Sequence, residues 1–135
     1  MGNKEKGANA ERELYGMFIE NFFRAVRVAG SGMMDNTSCD LIAGKEGKKF
    51  CVECKASKKT SKYITKQQIE EFMIFSDIFQ LEPVIAVKFN RQGWFFLSPR
   101  DLEDSGKNWL VSLKIAQEKG KRFSQFFGCS ASNLS

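Results

Sequence analysis

Two strand-like runs, residues 39–43 and 50–56, flank the turn-prone charged segment Gly44-Lys45-Glu46-Gly47-Lys48-Lys49, and this hairpin constrains the chain more than any other feature. A turn centred between Glu46 and Gly47 makes paired positions sum to 93. Asp40 then stands across from Glu53, with Cβ atoms about 5 Å apart. Strand alternation adds Lys55 to that face. Cys39, Leu41, Ala43, Phe50, Val52 and Cys54 collect on the other, an apolar side fit to pack under a helix.

Two carboxylates facing each other repel, which destabilises the hairpin unless a cation or a shared proton lies between them. A divalent metal resolves the conflict. Mg²⁺ prefers hard oxygen ligands and keeps several waters, so two carboxylates plus a substrate phosphate suit it, and Mn²⁺ is expected to substitute. Metal-bound water ionises near neutral pH, and the Lys55 ammonium beside it can stabilise hydroxide. That combination points to phosphodiester hydrolysis. The alternative is that Asp40, Glu53 and Lys55 form the solvated polar face of an amphipathic hairpin. A second Glu-x-Lys, at Glu46 and Lys48, falls in the turn and lacks a strand aspartate opposite. Cys51 and Cys54 form a C-x-x-C, but strand residues three apart face opposite sides, and the chain has no histidine to complete a zinc site.

Around the hairpin, Leu14, Tyr15, Phe18 and Phe22 recur at helical spacing, which predicts an amphipathic helix over residues 6–23 with Glu11 interrupting its apolar stripe. Residues 25–29 read as a strand and 30–38 as a loop. Thr65 and Gln68 match a capping box that opens a second helix over the apolar run 69–79, which covers more than one face and so calls for burial on two sides. A second hairpin joins residues 83–89 and 94–97 through Asn90-Arg91-Gln92-Gly93. Ser98-Pro99 starts a short helix, residues 109–112 form a last strand, and 113–127 read as helix broken at Gly120. Residues 1–5 and 129–135 are expected to be flexible tails of one domain spanning 1–135.

At 135 residues the chain suits one core, and thirteen phenylalanines are more than one small core hides easily, so a homodimer with aromatic residues in its interface is expected. The second helix, the Trp94 to Phe96 strand and the C-terminal helix are the candidate surfaces. No apolar run is long enough to span a membrane, and a cytoplasmic, nucleoid-associated protein is expected. The formal charge is +5 and lysines concentrate in Lys45, Lys48, Lys49, Lys55, Lys58, Lys59, Lys62 and Lys66, which favours a polyanionic partner over a solvated basic surface only if motifs agree.

They do agree. Asp40, twelve residues, then Glu53-Cys54-Lys55 resembles the active site of the restriction-endonuclease-like nucleases. Lys6-Gly7-Ala8-Asn9-Ala10-Glu11-Arg12-Glu13-Leu14 and Arg27-Val28-Ala29-Gly30-Ser31-Gly32 resemble the first helix and the following strand and loop of archaeal Holliday junction resolvases of the Hjc type. The resemblance implies an α/β nuclease domain of restriction-endonuclease-like fold, with a central mixed five-stranded sheet flanked by helices. It implies a structure-selective endonuclease that resolves four-way DNA junctions as a homodimer, in recombination and repair. Glu11 then joins Asp40 and Glu53 as a metal ligand, Lys55 orients the attacking water, and Ser31 is a loop residue associated with activity. Arg12 and Ser31 are implied as DNA contacts, and Lys6, Lys58, Lys59 and Lys62 extend the basic surface.

Two other readings stay open: another nuclease of the same fold, a restriction enzyme or a repair nickase, and a non-catalytic module that grips structured DNA through its lysines. Phe123-Ser124-Gln125-Phe126-Phe127 also has the aromatic spacing of a sliding-clamp-binding peptide, although Gly120 stands where such motifs carry glutamine. Packing of these rings in the core is the favoured reading.

Overall fold

A computed structural model describes residues 2–28 and 39–128, with side chains described from Gly7 onward. Helix α1 spans Gly2–Glu20, so the expected N-terminal tail is helical from its second residue. The asparagine, lysine and glutamate there extend a helix already nucleated downstream at little cost. Its stripe is Ala10, Leu14 and Phe18, all buried. Phe22 leaves the stripe: the Phe23 N–H bonds the Phe18 carbonyl and the Phe22 N–H that of Ile19, which closes the helix with Phe22 left-handed at φ 68°. Phe23 takes the buried place instead.

Strands β1 (Arg24–Arg27), β2 (Leu41–Lys45), β3 (Lys48–Ser57), β5 (Glu82–Phe89) and β6 (Gly93–Leu97) form the expected five-stranded sheet in the order β1-β2-β3-β5-β6. It is mixed, because β3 and β5 run parallel while every other neighbour pair is antiparallel. The first hairpin has the expected register, with Leu41 opposite Val52 and Lys45 opposite Lys48. Glu46 and Gly47, at φ 52° and 83°, form a two-residue turn with both central residues left-handed, the geometry that matches strand twist.

A second sheet was not expected. β4 (Ser61–Thr65), β7 (Glu103–Asp104) and β8 (Asn108–Ser112) pair in the order β4-β8-β7. Helix α2 (Lys66–Ile78) begins at the expected Thr65–Gln68 capping box. A 3-10 turn at Pro99–Asp101 is capped by Ser98, and α3 (Leu113–Lys119) and α4 (Phe123–Phe127) break at Gly120 as expected. Glycine is needed there: a Cβ would stand 2.5 Å from the Ala116 carbonyl oxygen and 3.2 Å from the Leu97 side chain.

Both faces of the large sheet are covered. On one, α1 and α4 pack over Leu41, Ala43, Val52 and Val84; on the other, α2, α3 and the small sheet pack over Cys51, Ile85, Val87 and Leu97. Two-sided burial explains the nearly unbroken apolar run of β5. It also corrects the estimate of what the core can hold, since eight phenylalanines are buried within one chain: Phe18, Phe23, Phe50, Phe72, Phe89, Phe95, Phe96 and Phe127. Phe127 alone meets Phe18, Phe23, Phe50 and Phe96 edge-on at 5.0–5.7 Å. Of the rings of the clamp-like segment, Phe127 is core and Phe123 and Phe126, partly buried, pack against it, the packing favoured from sequence. Trp94 to Phe96 is buried too. Helix α2 is buried on one face only, through Ile69, Phe72 and Ser76, and leaves Met73, Ile74, Ile78 and Phe79 exposed.

Candidate active site

Strand β2 begins at Leu41 opposite Val52, while β3 continues to Ser57 with β5 as its ladder partner. The sheet therefore opens beside the second half of β3, and backbone donors there need other acceptors. Asp40 supplies one: its Oδ2 accepts the Cys54 N–H at 2.7 Å. Its own backbone is held from both sides, the Asp40 N–H bonding the Val52 carbonyl at 3.0 Å and its carbonyl accepting the Val28 N–H at 2.9 Å. The aspartate is thus fixed at the mouth of the hairpin, one residue before the ladder starts.

Glu53 and Lys55 share a face of β3, with Lys55 Nζ 3.5 Å from Glu53 Oε2 and both side chains less than a fifth exposed. Burial pushes the Glu53 carboxyl up to about 7, and the Asp40 charge adds to it against the pull of Lys55. Burial likewise raises Asp40 to about 6, with the Cys54 N–H working in the other direction and Glu11 in the same one. Glu11 raises both carboxyls through its charge, which brings the third predicted acid into the field of this pair. Its own Oε1 lies 3.4 Å from the Arg27 guanidinium.

This is the arrangement of a site that lacks positive charge. With Arg27 engaged by Glu11, Lys55 is left to offset Asp40 and Glu53, both half-buried. Among the described residues no three acidic or cysteine side chains converge closely enough to cage an ion by themselves. The donors available are all hard oxygens, a set that fits a divalent cation completing its shell with water and phosphate rather than one enclosed by protein.

The two cysteines of the C-x-x-C face opposite sides as expected, Cys51 in one core and Cys54 against the other. Burial drives the Cys54 thiol well above its usual range, so it stays neutral. Cys39 departs from the expected alternation. It packs with Cys51 on the α2 side, because residues 39 and 40 precede the ladder and need not follow its pleat.

A cleft of about 1120 Å³ is lined by Cys54 and Lys55, the two residues that follow Glu53 on β3, though not by Glu11, Asp40 or Glu53 themselves. Lys55, Lys58, Lys59 and Lys62 line it together, as the basic-patch reading expected. The turn that carries them is tied down, since Ser57 Oγ accepts the Lys59 N–H at 3.1 Å and donates to the Ser61 carbonyl at 2.9 Å. Arg12 is exposed and not part of the lining, but donates to the side-chain oxygen of Asn9, a cleft residue, at 3.0 Å. Lys6 lies within α1 and its side chain is outside the described set, and Ser31 lies outside the described residues altogether.

Sequence reading missed Lys88, which also lines the cleft and donates to Glu13 at 2.6 Å, the same carboxylate oxygen that accepts Trp94 Nε1–H at 3.3 Å. The signal was present: Lys88 is the one cation in the apolar β5 run, and a charge in a strand covered on both faces needs a partner or a task. Tyr63 and Asn90, also in the lining, carried no comparable mark.

Comparison with known proteins agrees with this geometry. The family model described as archaeal Holliday junction resolvase (Hjc) matches residues 2–134. The crossover junction endodeoxyribonuclease Hjc of Methanocaldococcus jannaschii is 40% identical over 110 residues, 82% of this chain and 78% of the relative. Its namesake from Archaeoglobus fulgidus is 32% identical over 93% of this chain and 97% of the relative. The solved structure of Archaeoglobus fulgidus Hjc, a Holliday junction resolvase, superposes with a TM-score of 0.83 at 27% identity, over 89% of this chain and 98% of that one. The half-buried Asp40, Glu53 and Lys55 of a mixed sheet thus sit in a chain that belongs to the archaeal Holliday junction resolvase family.

Proposed function

We propose that this chain is a structure-selective endonuclease that resolves four-way DNA junctions by paired, metal-dependent phosphodiester hydrolysis. One observation carries the reading: a half-buried Asp40–Glu53 pair whose carboxyls are both raised by burial has Lys55 beside it, and Lys55 in turn lines a cleft together with Lys58, Lys59, Lys62 and Lys88. At about 1120 Å³ the cleft exceeds the roughly 300–1,000 Å³ usual for small-molecule sites, which suits a polymer.

Asp40 and Glu53 would hold a divalent cation, Mg²⁺ with Mn²⁺ as substitute, and Glu11 would reach it directly or through water. When bound, such an ion acidifies water and neutralises charge on the scissile phosphate. The chain's own groups do the rest. The Cys54 N–H orients the Asp40 carboxylate, and the Lys55 ammonium orients the attacking water and stabilises the hydroxide it becomes. Lys58, Lys59, Lys62 and Arg12 seat backbone phosphates, contacts that position DNA without reading bases. Specificity then rests on shape.

Paired cleavage needs two such sites. The exposed Met73, Ile74, Ile78 and Phe79 of α2 are the surface of the three candidates that is free to bury against a second copy. Residues 1–135 act as one nuclease domain, and junction DNA in the cytoplasm, at the nucleoid, is the working substrate. No described helix is long and apolar enough to cross a membrane.

The test compares initial rates on a four-way junction, a hairpin, a nicked duplex and a linear duplex of equal length at one salt concentration. Strong preference for the junction is the expected result. Equal rates on linear duplex would favour a general nuclease of the same fold, and no cleavage with tight junction binding would favour a binding module.

A further inference from the structure

The cleft holds one aromatic side chain among its described lining residues, Tyr63, beside five lysines, serines, the amides Asn9 and Asn90, small residues, and a single carboxylate, Glu13, which is held by Lys88. The ring is 57% exposed in a chain that buries most of its rings. It is also rigidly carried. β4 pairs with β8 along its whole length, Tyr63 opposite Leu110, and the next residue, Ile64, is anchored in the core at 1% exposure. Lys62 precedes it in the same lining. Space is available nearby, since Gly7 and Ala10 contribute almost no side chain to the cleft and a Cβ at Gly7 would meet nothing within 4 Å.

An exposed ring on a fixed strand inside a lysine-lined groove is the composition that binds unstacked nucleotides: cations track the phosphates and the ring meets a base face. A linear duplex offers no such face along its length, because each base pair is covered by its neighbours. A four-way junction does, at the point where strands exchange and the stack is interrupted. On the resolvase reading above, we infer that Tyr63 is a specificity-determining contact that stacks on a base at the branch point and so adds to the preference for junctions over duplex. It touches no reacting group and is a binding residue.

The experiment measures binding, in EDTA to prevent cleavage, of a fixed-branch junction and a linear duplex of equal length to the full chain and to Tyr63→Phe, Tyr63→Leu and Tyr63→Ala. The junction carries 2-aminopurine at each branch nucleotide in turn. Tyr63→Phe should bind both DNAs within about twofold of wild type, because the π face is kept. Tyr63→Leu and Tyr63→Ala should weaken junction binding roughly 5- to 100-fold and duplex binding by less than about twofold. At one branch position the 2-aminopurine emission should differ between wild-type and Tyr63→Ala complexes. Tyr63 is exposed, so all three variants should melt with the wild type.

Unchanged junction binding by Tyr63→Leu and Tyr63→Ala would overturn the inference, as would equal loss on duplex. Loss by Tyr63→Phe to the level of alanine would overturn it too, by assigning the contact to the hydroxyl. A wild-type chain that binds junction no better than duplex would instead remove the resolvase reading, and this inference with it.

Discussion

Replacing Glu53 with glutamine should stabilise the metal-free protein at pH 8 while abolishing cleavage. The folded chain raises this carboxyl from 4.5 to about 7, through burial first and the neighbouring Asp40 second. A raised acid pKa means that the folded state binds the proton more tightly than the unfolded one, so stability falls as pH climbs through that interval. Below pH 4.5 the penalty is absent; above pH 7 it is complete. At about 1.4 kcal/mol per pH unit the ceiling is about 3 kcal/mol. That net shift already includes the opposing attraction of Lys55 at 3.5 Å, so the gain is at most about 3 kcal/mol, roughly 10 °C in Tm for a chain of this size. Thermal melts of wild type and Glu53→Gln in EDTA at pH 8 and pH 4 would show a gain at pH 8 that disappears at pH 4. A variant no more stable than wild type at pH 8, or equally favoured at both pH values, would refute the reasoning. Added Mg²⁺ should reverse the order by stabilising wild type alone.

Asp40→Asn and Lys55→Ala should each lower single-turnover cleavage by at least about 100-fold while leaving junction affinity within a few-fold, since these groups act on the transition state more than on bound DNA; gel cleavage beside filter binding separates the two effects. Changing Lys58, Lys59 and Lys62 together to alanine should lessen the slope of log affinity against log salt by about 2–3, at roughly 0.9 per phosphate contact, and an unchanged slope would take these lysines off the DNA. Gly120→Ala should cost about 2 kcal/mol in urea unfolding, because its Cβ would sit 2.5 Å from the Ala116 carbonyl oxygen.

Much of the site was legible because it rests on local rules. The Glu46-Gly47 turn dictates register, the register brings Asp40 beside Glu53, and alternation adds Lys55. The capping box at Thr65 and the break at Gly120 were legible for the same reason, being written in neighbouring residues. What escaped depends on distant partners. β4 pairs Ser61 with Ser112: Tyr63, Ile64 and Thr65 favour a strand, but so short a run names no partner, and the partner strand, Asn108–Ser112, lies far along the chain. The same sheet places Tyr63 in the cleft, so that residue escaped with it. Burial of the sheet on both faces follows from where α2, α3 and the small sheet dock, which hairpin periodicity does not encode. Asp40 itself shows the limit of register arguments: its carboxylate turns to the Cys54 N–H left over where β2 ends, a detail set by strand length rather than pleat.

The claim that two copies of the Asp40–Glu53–Lys55 site act together on one junction is tested most directly by mapping cuts on a junction labelled at all four 5′ ends, in a single turnover with Mg²⁺. The account predicts paired, symmetrically placed incisions in two opposing strands, leaving nicked duplexes that ligase can seal, and none in EDTA. Scattered single nicks, or cuts that proceed equally well without a divalent ion, would contradict it.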